Sequence, residues 1–247
     1  MQKTLGNKVA LVTGGSRGIG AATALALGAE GATVAISYVA SPEKAQHIVD
    51  QLKALGVNAA AFQADQSKPE EAAGLIERVV STFGKLDILV NNAGQFAMAG
   101  LTDATAESMA GQYLVNFTSV VAAIRAAAKV MPDGGRIINI GSGVSTRVGF
   151  PGLADYTAAK SALQGYTKGA ARDLGPRNIT VNMVHPGFTD TDMNPANSDY
   201  APVFSGTTAL GRYARPEEIA AGIVFLASPA ASYVTGTVLA IDGGYGA

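Results

Sequence analysis

The chain has 247 residues, with 18 Lys and Arg against 19 Asp and Glu, a formal net charge of −1, 48% hydrophobic residues and only 15% charged ones. So neutral a chain has no basic field to hold a nucleic-acid backbone, and zero Cys excludes disulfide scaffolds, thiolate catalysis and Cys-ligated zinc. With His47 and His185 as the only histidines no metal site is expected, and no apolar run approaches the roughly 20 residues of a membrane span. Residues 1–6 lack the apolar core of a signal peptide, so the expected setting is soluble and cytoplasmic. The low charge density points to a surface partly covered by self-association.

Residues 8–13 form a short apolar run that ends in glycines, and an Ala-rich helical pattern follows. Residues 32–37 read as a strand and 42–55 as a helix; 58–65 as a weaker strand; 68–83 as a helix with Pro69 in its first turn. Residues 86–91 are the fourth strand and 106–130 one long helix. Residues 135–140 are the fifth strand, 154–174 a helix, 179–184 the sixth strand, 216–227 a helix behind a proline, and 238–241 the seventh strand. Strands that are apolar throughout, alternating with amphipathic helices, predict an α/β fold: one Rossmann-like domain spanning 1–247, a doubly wound, seven-stranded parallel sheet with helices on both faces. The long irregular stretch 186–210, which carries Pro195 and Pro202, is expected to be a substrate lid.

Two groups of residues carry chemistry. Thr13-Gly14-Gly15-Ser16-Arg17-Gly18-Ile19-Gly20 lies between the first strand and first helix, where glycines let backbone approach a pyrophosphate and a helix N-terminus supplies amides. Its spacing is Gly-x-x-x-Gly-x-Gly, and an ordinary tight turn is the plainer reading. Tyr156-Thr157-Ala158-Ala159-Lys160 opens a helix, which puts phenol and ammonium one turn apart on one face. A neighbouring ammonium favours phenolate, so the phenol's pKa is expected to fall from its ordinary value of about 10, unless the two are merely a surface pair.

The glycine loop, Asn91-Asn92-Ala93-Gly94 after the fourth strand, Ser142 after the fifth, Tyr156 with Lys160, Pro186-Gly187-Phe188-Thr189-Asp190-Thr191 after the sixth and Asp242-Gly243-Gly244 near the end occur in that order. Together they resemble the short-chain dehydrogenase/reductase family over essentially the whole chain. The resemblance implies hydride transfer between a nicotinamide cofactor and a carbonyl or alcohol, with Tyr156 as proton donor and acceptor. Lys160 would lower the phenol's pKa and bond the nicotinamide ribose, Ser142 would hold the carbonyl oxygen, and Asn116 would hold a water on the proton relay. Asn116 bonding backbone within its own helix is the plainer alternative. The Ser142–Tyr156 spacing is slightly wider than in many members, which an insertion in 143–154 would absorb.

The same resemblance assigns the cofactor contacts. Gly14, Ser16, Arg17, Gly18, Ile19 and Gly20 would cradle the diphosphate; Asp65 and Gln66 would face the adenine; Asn92, Ala93 and Gly94 would line the adenosine ribose and the approach to the nicotinamide. Pro186, Gly187, Thr189 and Thr191 would meet the carboxamide and diphosphate, with a helix N-cap as the second reading of Thr191. NAD-preferring members place an acid at the end of the second strand. Here Tyr38 stands there, and Arg17 with the hydroxyls of Ser37 and Ser41 could hold a 2′-phosphate, so NADP(H) is favoured over NAD(H).

Gln95, Phe96, Val144, Phe150 and Met193 fall where members of the family contact substrate, giving a mostly apolar pocket; core packing is the alternative for Phe150. His185 reads as a packed, hydrogen-bonded ring, and Asp190 and Asp192 as solvated loop residues or a helix start. The functional expectation is an NADPH-dependent reductase of a ketone, aldehyde or 3-oxoacyl carbonyl, nearest to the 3-oxoacyl-acyl-carrier-protein reductases. Arg125, Lys129, Arg147 and Arg172 are available to meet an acidic carrier. The alternative is a weakly catalytic or non-catalytic nucleotide binder, because 161–165 and 192–197 resemble the subgroup with a biofilm-dispersal oxidoreductase that binds cyclic di-GMP. A homotetramer pairing through 106–130, 154–174 and the last strand is expected.

Overall fold

The computed structural model describes residues 3–247. Seven strands form one parallel sheet in the order β3-β2-β1-β4-β5-β6-β7: β1 Val9–Val12, β2 Thr33–Tyr38, β3 Ala59–Gln63, β4 Ile88–Asn91, β5 Arg136–Ile140, β6 Thr180–Pro186 and β7 Val238–Ile241. Alternate residues of each central strand feed opposite layers, as a strand's period of two requires. Ala10 and Val12 of β1 join one core with α1 (Gly18–Ala29), α2 (Pro42–Ala54) and α8 (Pro216–Ala227). Val9 and Leu11 join the other with α3 (Pro69–Phe83), α5 (Ser119–Val130) and α6 (Ala154–Leu174). The chain runs outward from β1 to β2 and β3 on one side and to β4 and beyond on the other, so a crevice opens at the carboxyl ends of β1 and β4.

Local chemistry sets the helix ends. Proline opens α2, α3 and α8, where its missing N–H costs nothing, and Glu43, Glu70, Glu71, Glu217 and Glu218 sit in the first turns against the positive end of the dipole. Gly84 stops α3 in the left-handed region at φ 82°.

Three predicted elements come out differently. The single helix expected over 106–130 is α4 (Ala106–Tyr113), a π-helical turn at Leu114–Thr118, and α5. This stretch is also long and apolar enough, by length and composition, to cross a membrane, contrary to the expectation that no run is; here Val120, Ala123, Ile124 and Ala127 pack into the second core. The third strand ends at Gln63, leaving Asp65 in the turn beyond it. The expected lid 186–210 is not wholly irregular: β6 continues to Pro186, and Pro202 lies in the first turn of a short helix, α7 (Ala201–Gly206).

A buried polar thread ties the middle of the sheet to α6. Asn91 Nδ2 donates to Asn139 Oδ1 at 2.8 Å, Asn139 Nδ2 donates to Thr167 Oγ1 at 2.9 Å, and Thr167 Oγ1 donates to the Leu163 carbonyl. All three side chains are buried, so each bond replaces water that cannot reach it. Asn139→Leu is expected to leave the Asn91 amide without its partner and lower the unfolding free energy by about 1–3 kcal/mol. Urea denaturation checks this; an unchanged midpoint would show that the thread contributes nothing.

Candidate active site

The glycine loop bends around the carboxyl end of β1. Gly14 and Gly18 take left-handed conformations at φ 63° and 53°, which disfavour side chains. A Cβ on Gly20 would collide with the Gly14 carbonyl and lie 2.5 Å from Asn92 Nδ2. Thr13 Oγ1 accepts from the Asn92 and Ala93 amides, both at 3.0 Å. Asn92 Nδ2 donates back to the carbonyls of Thr13 (2.9 Å) and Gly14 (3.2 Å).

Two expected contact residues brace the loop with their side chains, and for Ser37 this replaces the expected use. The Asn92 side-chain amide holds the glycine loop. Ser37 is 1% exposed and its hydroxyl accepts from the Gly14 amide at 3.2 Å, so it braces the loop and is not open to a phosphate. Both side chains lie where backbone amides and carbonyls of the loop need partners, and those bonds win.

What remains around the crevice fits a dinucleotide. Ser16, Gly18 and Ile19 run into α1, which has no side-chain cap and no acid in its first turn, so its amides face an anion unopposed. Gln66 is buried and its Nε2 has no partner, an orphaned donor where the adenine is expected. Asp65 Oδ1 is committed to the Ser67 amide and hydroxyl at 2.8 and 2.7 Å, and these bonds hold its carboxyl below the ordinary range. Tyr38 ends β2 half-buried, and Ser41 precedes α2 without capping it. Arg17 reaches within 3.6 Å of Asp192 Oδ2, and Lys44 within 3.1 Å of the same oxygen. All three side chains are more than half exposed, so this bridge is worth at most about 1 kcal/mol and is easily exchanged. Lys44 was not among the expected site residues; its place in the first turn after the β2 end was the available signal.

The catalytic candidates converge at the carboxyl ends of β4 and β5. Lys160, 4% exposed, donates to the Ile140 carbonyl at 2.9 Å, and its Nζ lies 5.8 Å from the Tyr156 ring centre. Gly94 brings the backbone close: a Cβ there would stand 3.2 Å from Asn116 Oδ1 and 3.6 Å from Lys160 Nζ. Asn116 is fully buried in the π-helical turn; its side chain donates to the Gln95 carbonyl at 2.7 Å and accepts from the Gln95 amide at 3.1 Å. It thus bonds the segment after β4, not its own helix, and turns of this kind are frequent at functional sites. Ser142 Oγ accepts from the Val144 amide at 3.4 Å, and Ser142 is the side chain that acts on the Tyr156 phenol against the effect of burial.

The expected electrostatics of the pair are corrected. Burial pushes the Tyr156 phenol up, with Ser142 pulling against it, and burial pushes Lys160 down to about 8. Both groups are driven toward neutrality because burial penalises their charged forms, and the Lys160 ammonium is turned to the Ile140 carbonyl.

Around them, Phe96 stands edge-on to Tyr156 at 5.0 Å and is 44% exposed, Met193 is exposed, and Val144 is half-buried. Phe150 packs against Phe188 at 6.3 Å and Phe204 at 5.0 Å, so it belongs to the aromatic base of the lid. The Ala97 amide donates to Gln112, a contact the sequence did not suggest. Pro186 and Thr189 are buried, the Thr189 hydroxyl donates to the Gly187 carbonyl, and Gly187 sits against the Asp242 backbone. Thr191 caps a turn by accepting from Asn194, not a helix. Asp190 accepts from the Ala196 amide. His185 is buried with Nδ1 3.3 Å from Thr146 Oγ1, and burial holds its pKa down to about 4, so it is a neutral packed ring. Arg147 donates one bond to the Tyr245 carbonyl and is exposed, as are Arg125, Lys129 and Arg172.

A family model described as "Enoyl-(Acyl carrier protein) reductase" matches residues 14–246. The chain is 43% identical to a 3-oxoacyl-[acyl-carrier-protein] reductase of Synechocystis, covering 96% of both. It is 40% identical to the cyclic-di-GMP-binding biofilm dispersal mediator protein of Escherichia coli, covering 97% of this chain and 98% of that one. The structure of a short chain dehydrogenase from Burkholderia cenocepacia in complex with NADP superimposes with a TM-score of 0.97 at 48% identity, over 99% of this chain and all of the other. With the glycine cradle, the seven-stranded sheet and these matches in agreement, the chain belongs to the short-chain dehydrogenase/reductase family and is an oxidoreductase of that family.

Proposed function

We propose that this protein is an NADPH-dependent reductase of ketones, aldehydes or 3-oxoacyl compounds, with Ser142, Tyr156 and Lys160 acting on the carbonyl. The observation that carries the reading is the convergence of the half-buried Tyr156 and a buried lysine, 5.8 Å from its ring centre, beside a cradle fit for a dinucleotide. Bound there, a dihydronicotinamide supplies the hydride to the carbonyl carbon. Ser142 and Tyr156 donate hydrogen bonds to the carbonyl oxygen, and as negative charge grows there Tyr156 passes its proton across. The raised phenol pKa suits this direction, since the group is held protonated until the oxygen needs it. Lys160 then stabilises the phenolate left behind. Asn116 fixes Gln95 and Gly94 against Lys160, and Phe96 and Met193 offer apolar surface to the substrate.

Preference for NADPH is supported by what stands at the end of β2. No acid is there; Arg17 and Lys44 are exposed cations that share one weakly held carboxylate, Asp192, which a 2′-phosphate would replace. Assembly as a homotetramer is supported by exposed Phe225 on α8 and Tyr233 before β7.

The reading is tested by NADPH consumption against β-ketoesters, aryl ketones, α-diketones and aldehydes. Tyr156→Phe is expected to lower kcat by about 10²–10⁴-fold with NADPH affinity nearly intact; near-normal turnover would overturn the role of the phenol. The pH dependence has a definite sign. Lys160 is charged below about 8 and loses its proton above it, so kcat/KM for reduction is expected to be level near neutrality and to fall as pH rises through that value. A profile level to pH 10 would contradict it. Tyr38→Asp is expected to weaken NADPH binding relative to NADH by at least about tenfold, since a carboxylate would face the 2′-phosphate; fluorescence titration with both cofactors measures the ratio. Tight NADPH binding with no turnover on any compound would favour the binding role that the name of the Escherichia coli relative describes.

A further inference from the structure

The segment after β7 closes onto the loop between Ser142 and α6, and one side chain makes the junction. Tyr245 is 1% exposed. Its hydroxyl accepts from the Gly149 amide at 2.9 Å, its carbonyl accepts from Arg147 Nη1 at 3.1 Å, and the Arg147 guanidinium lies 5.5 Å from its ring centre. Two glycines make room for it. A Cβ on Gly143 would come within 3.2 Å of the ring edge, and one on Gly149 within 2.6 Å of the hydroxyl.

The other side of the ring meets Phe188 edge-on at 5.3 Å, and Phe188 stacks on Phe204 at 4.7 Å. Asp242 fixes the segment by accepting from the Gly244 and Gly246 amides at 2.9 and 3.0 Å. Across residues 148–151 the Gly149 bond is the only backbone hydrogen bond among the described residues. One buried phenol therefore anchors a loop that begins at Ser142 and carries Phe150, and it braces the aromatic base of the lid.

We propose that Tyr245 is a positioning residue: it sets the loop 143–152 against the lid base and so shapes the substrate side of the site, without touching the cofactor cradle. The kinetic consequence rests on the reductase reading above; the structural one does not. Losing the hydroxyl removes the one backbone bond of residues 148–151, while the turn bonds at 145–147, the Arg147–Tyr245 carbonyl bond and the Ala99–Gly152 bond remain. The loosened stretch must then be ordered by the substrate on binding, so the cost falls on KM more than on kcat.

Tyr245→Phe keeps the ring and removes the acceptor. It is expected to raise KM for the carbonyl substrate about three- to tenfold, the range of one net hydrogen bond, with kcat within about twofold and NADPH affinity unchanged. Gly149→Ala should produce a similar rise by crowding the hydroxyl. In the Tyr245→Phe background the added methyl meets only ring carbons at 3.5 Å, so the double variant should be no worse than Tyr245→Phe alone. Penalties that multiply, or an unchanged KM in Tyr245→Phe, would overturn the proposal. Hydrogen exchange of residues 143–152, read by mass spectrometry, supplies an arm free of turnover. Exchange there should quicken in Tyr245→Phe; an unchanged rate would overturn the proposal even in an active enzyme. Quickened exchange in a protein that turns over no carbonyl would support the positioning of the loop and count against the reductase reading alone.

Discussion

Two segments far apart in sequence meet at the junction of β1 and β4, and the site hangs on how they are joined. The Thr13 hydroxyl accepts from two successive amides after β4, and the Asn92 side chain returns two bonds to the carbonyls at the start of the glycine loop. Ser37 closes the third side from β2. These bonds are short-range and buried or half-buried, so water does not compete well for them. They turn a flexible run of glycines into a fixed cradle and bring Gly94 up to Asn116 and Lys160. Without that junction the nucleotide cleft and the catalytic candidates would be on separately moving parts.

Burial governs the chemistry built on this frame. Lys160 pays its desolvation partly through the Ile140 carbonyl, and its pKa drops to about 8. Tyr156 is raised by the same cause. A protonated phenol beside an ammonium that titrates close to neutrality is suited to giving a proton and tolerating the anion that follows. A phenol with a lowered pKa, as the spacing Tyr-x-x-x-Lys alone suggests, would be suited to both giving and taking the proton. The difference comes from competition between desolvation and pairing, which depends on depth and on where Nζ points.

The fold was largely legible because apolar strands and amphipathic helices alternate with the periods that a covered parallel sheet demands. Glycine-rich and polar residues at strand ends marked the site for the same reason: such residues suit few other uses there. The break at Asn116 was not legible, since residues 106–130 keep a continuous helical pattern and the π turn coincides with a side chain that bonds Gln95, 21 residues away. Ser37 looks like a ligand contact in sequence and acts as a brace in the structure, because a sequence does not say which backbone groups lack partners. Tyr245 and Lys44 carried still less signal. One acts through a contact nearly a hundred residues away, the other through a carboxylate in the lid.

If hydride goes directly to a substrate carbonyl in this site while Tyr156 supplies the proton, single-turnover reduction of a ketone with NADPH deuterated at the transferred C4 position will place deuterium on the carbinol carbon of the product, and Tyr156→Phe will give no such product on the same timescale. A carbinol carbon bearing only solvent hydrogen, or no product at all with NADPH fully bound, would contradict that proposal.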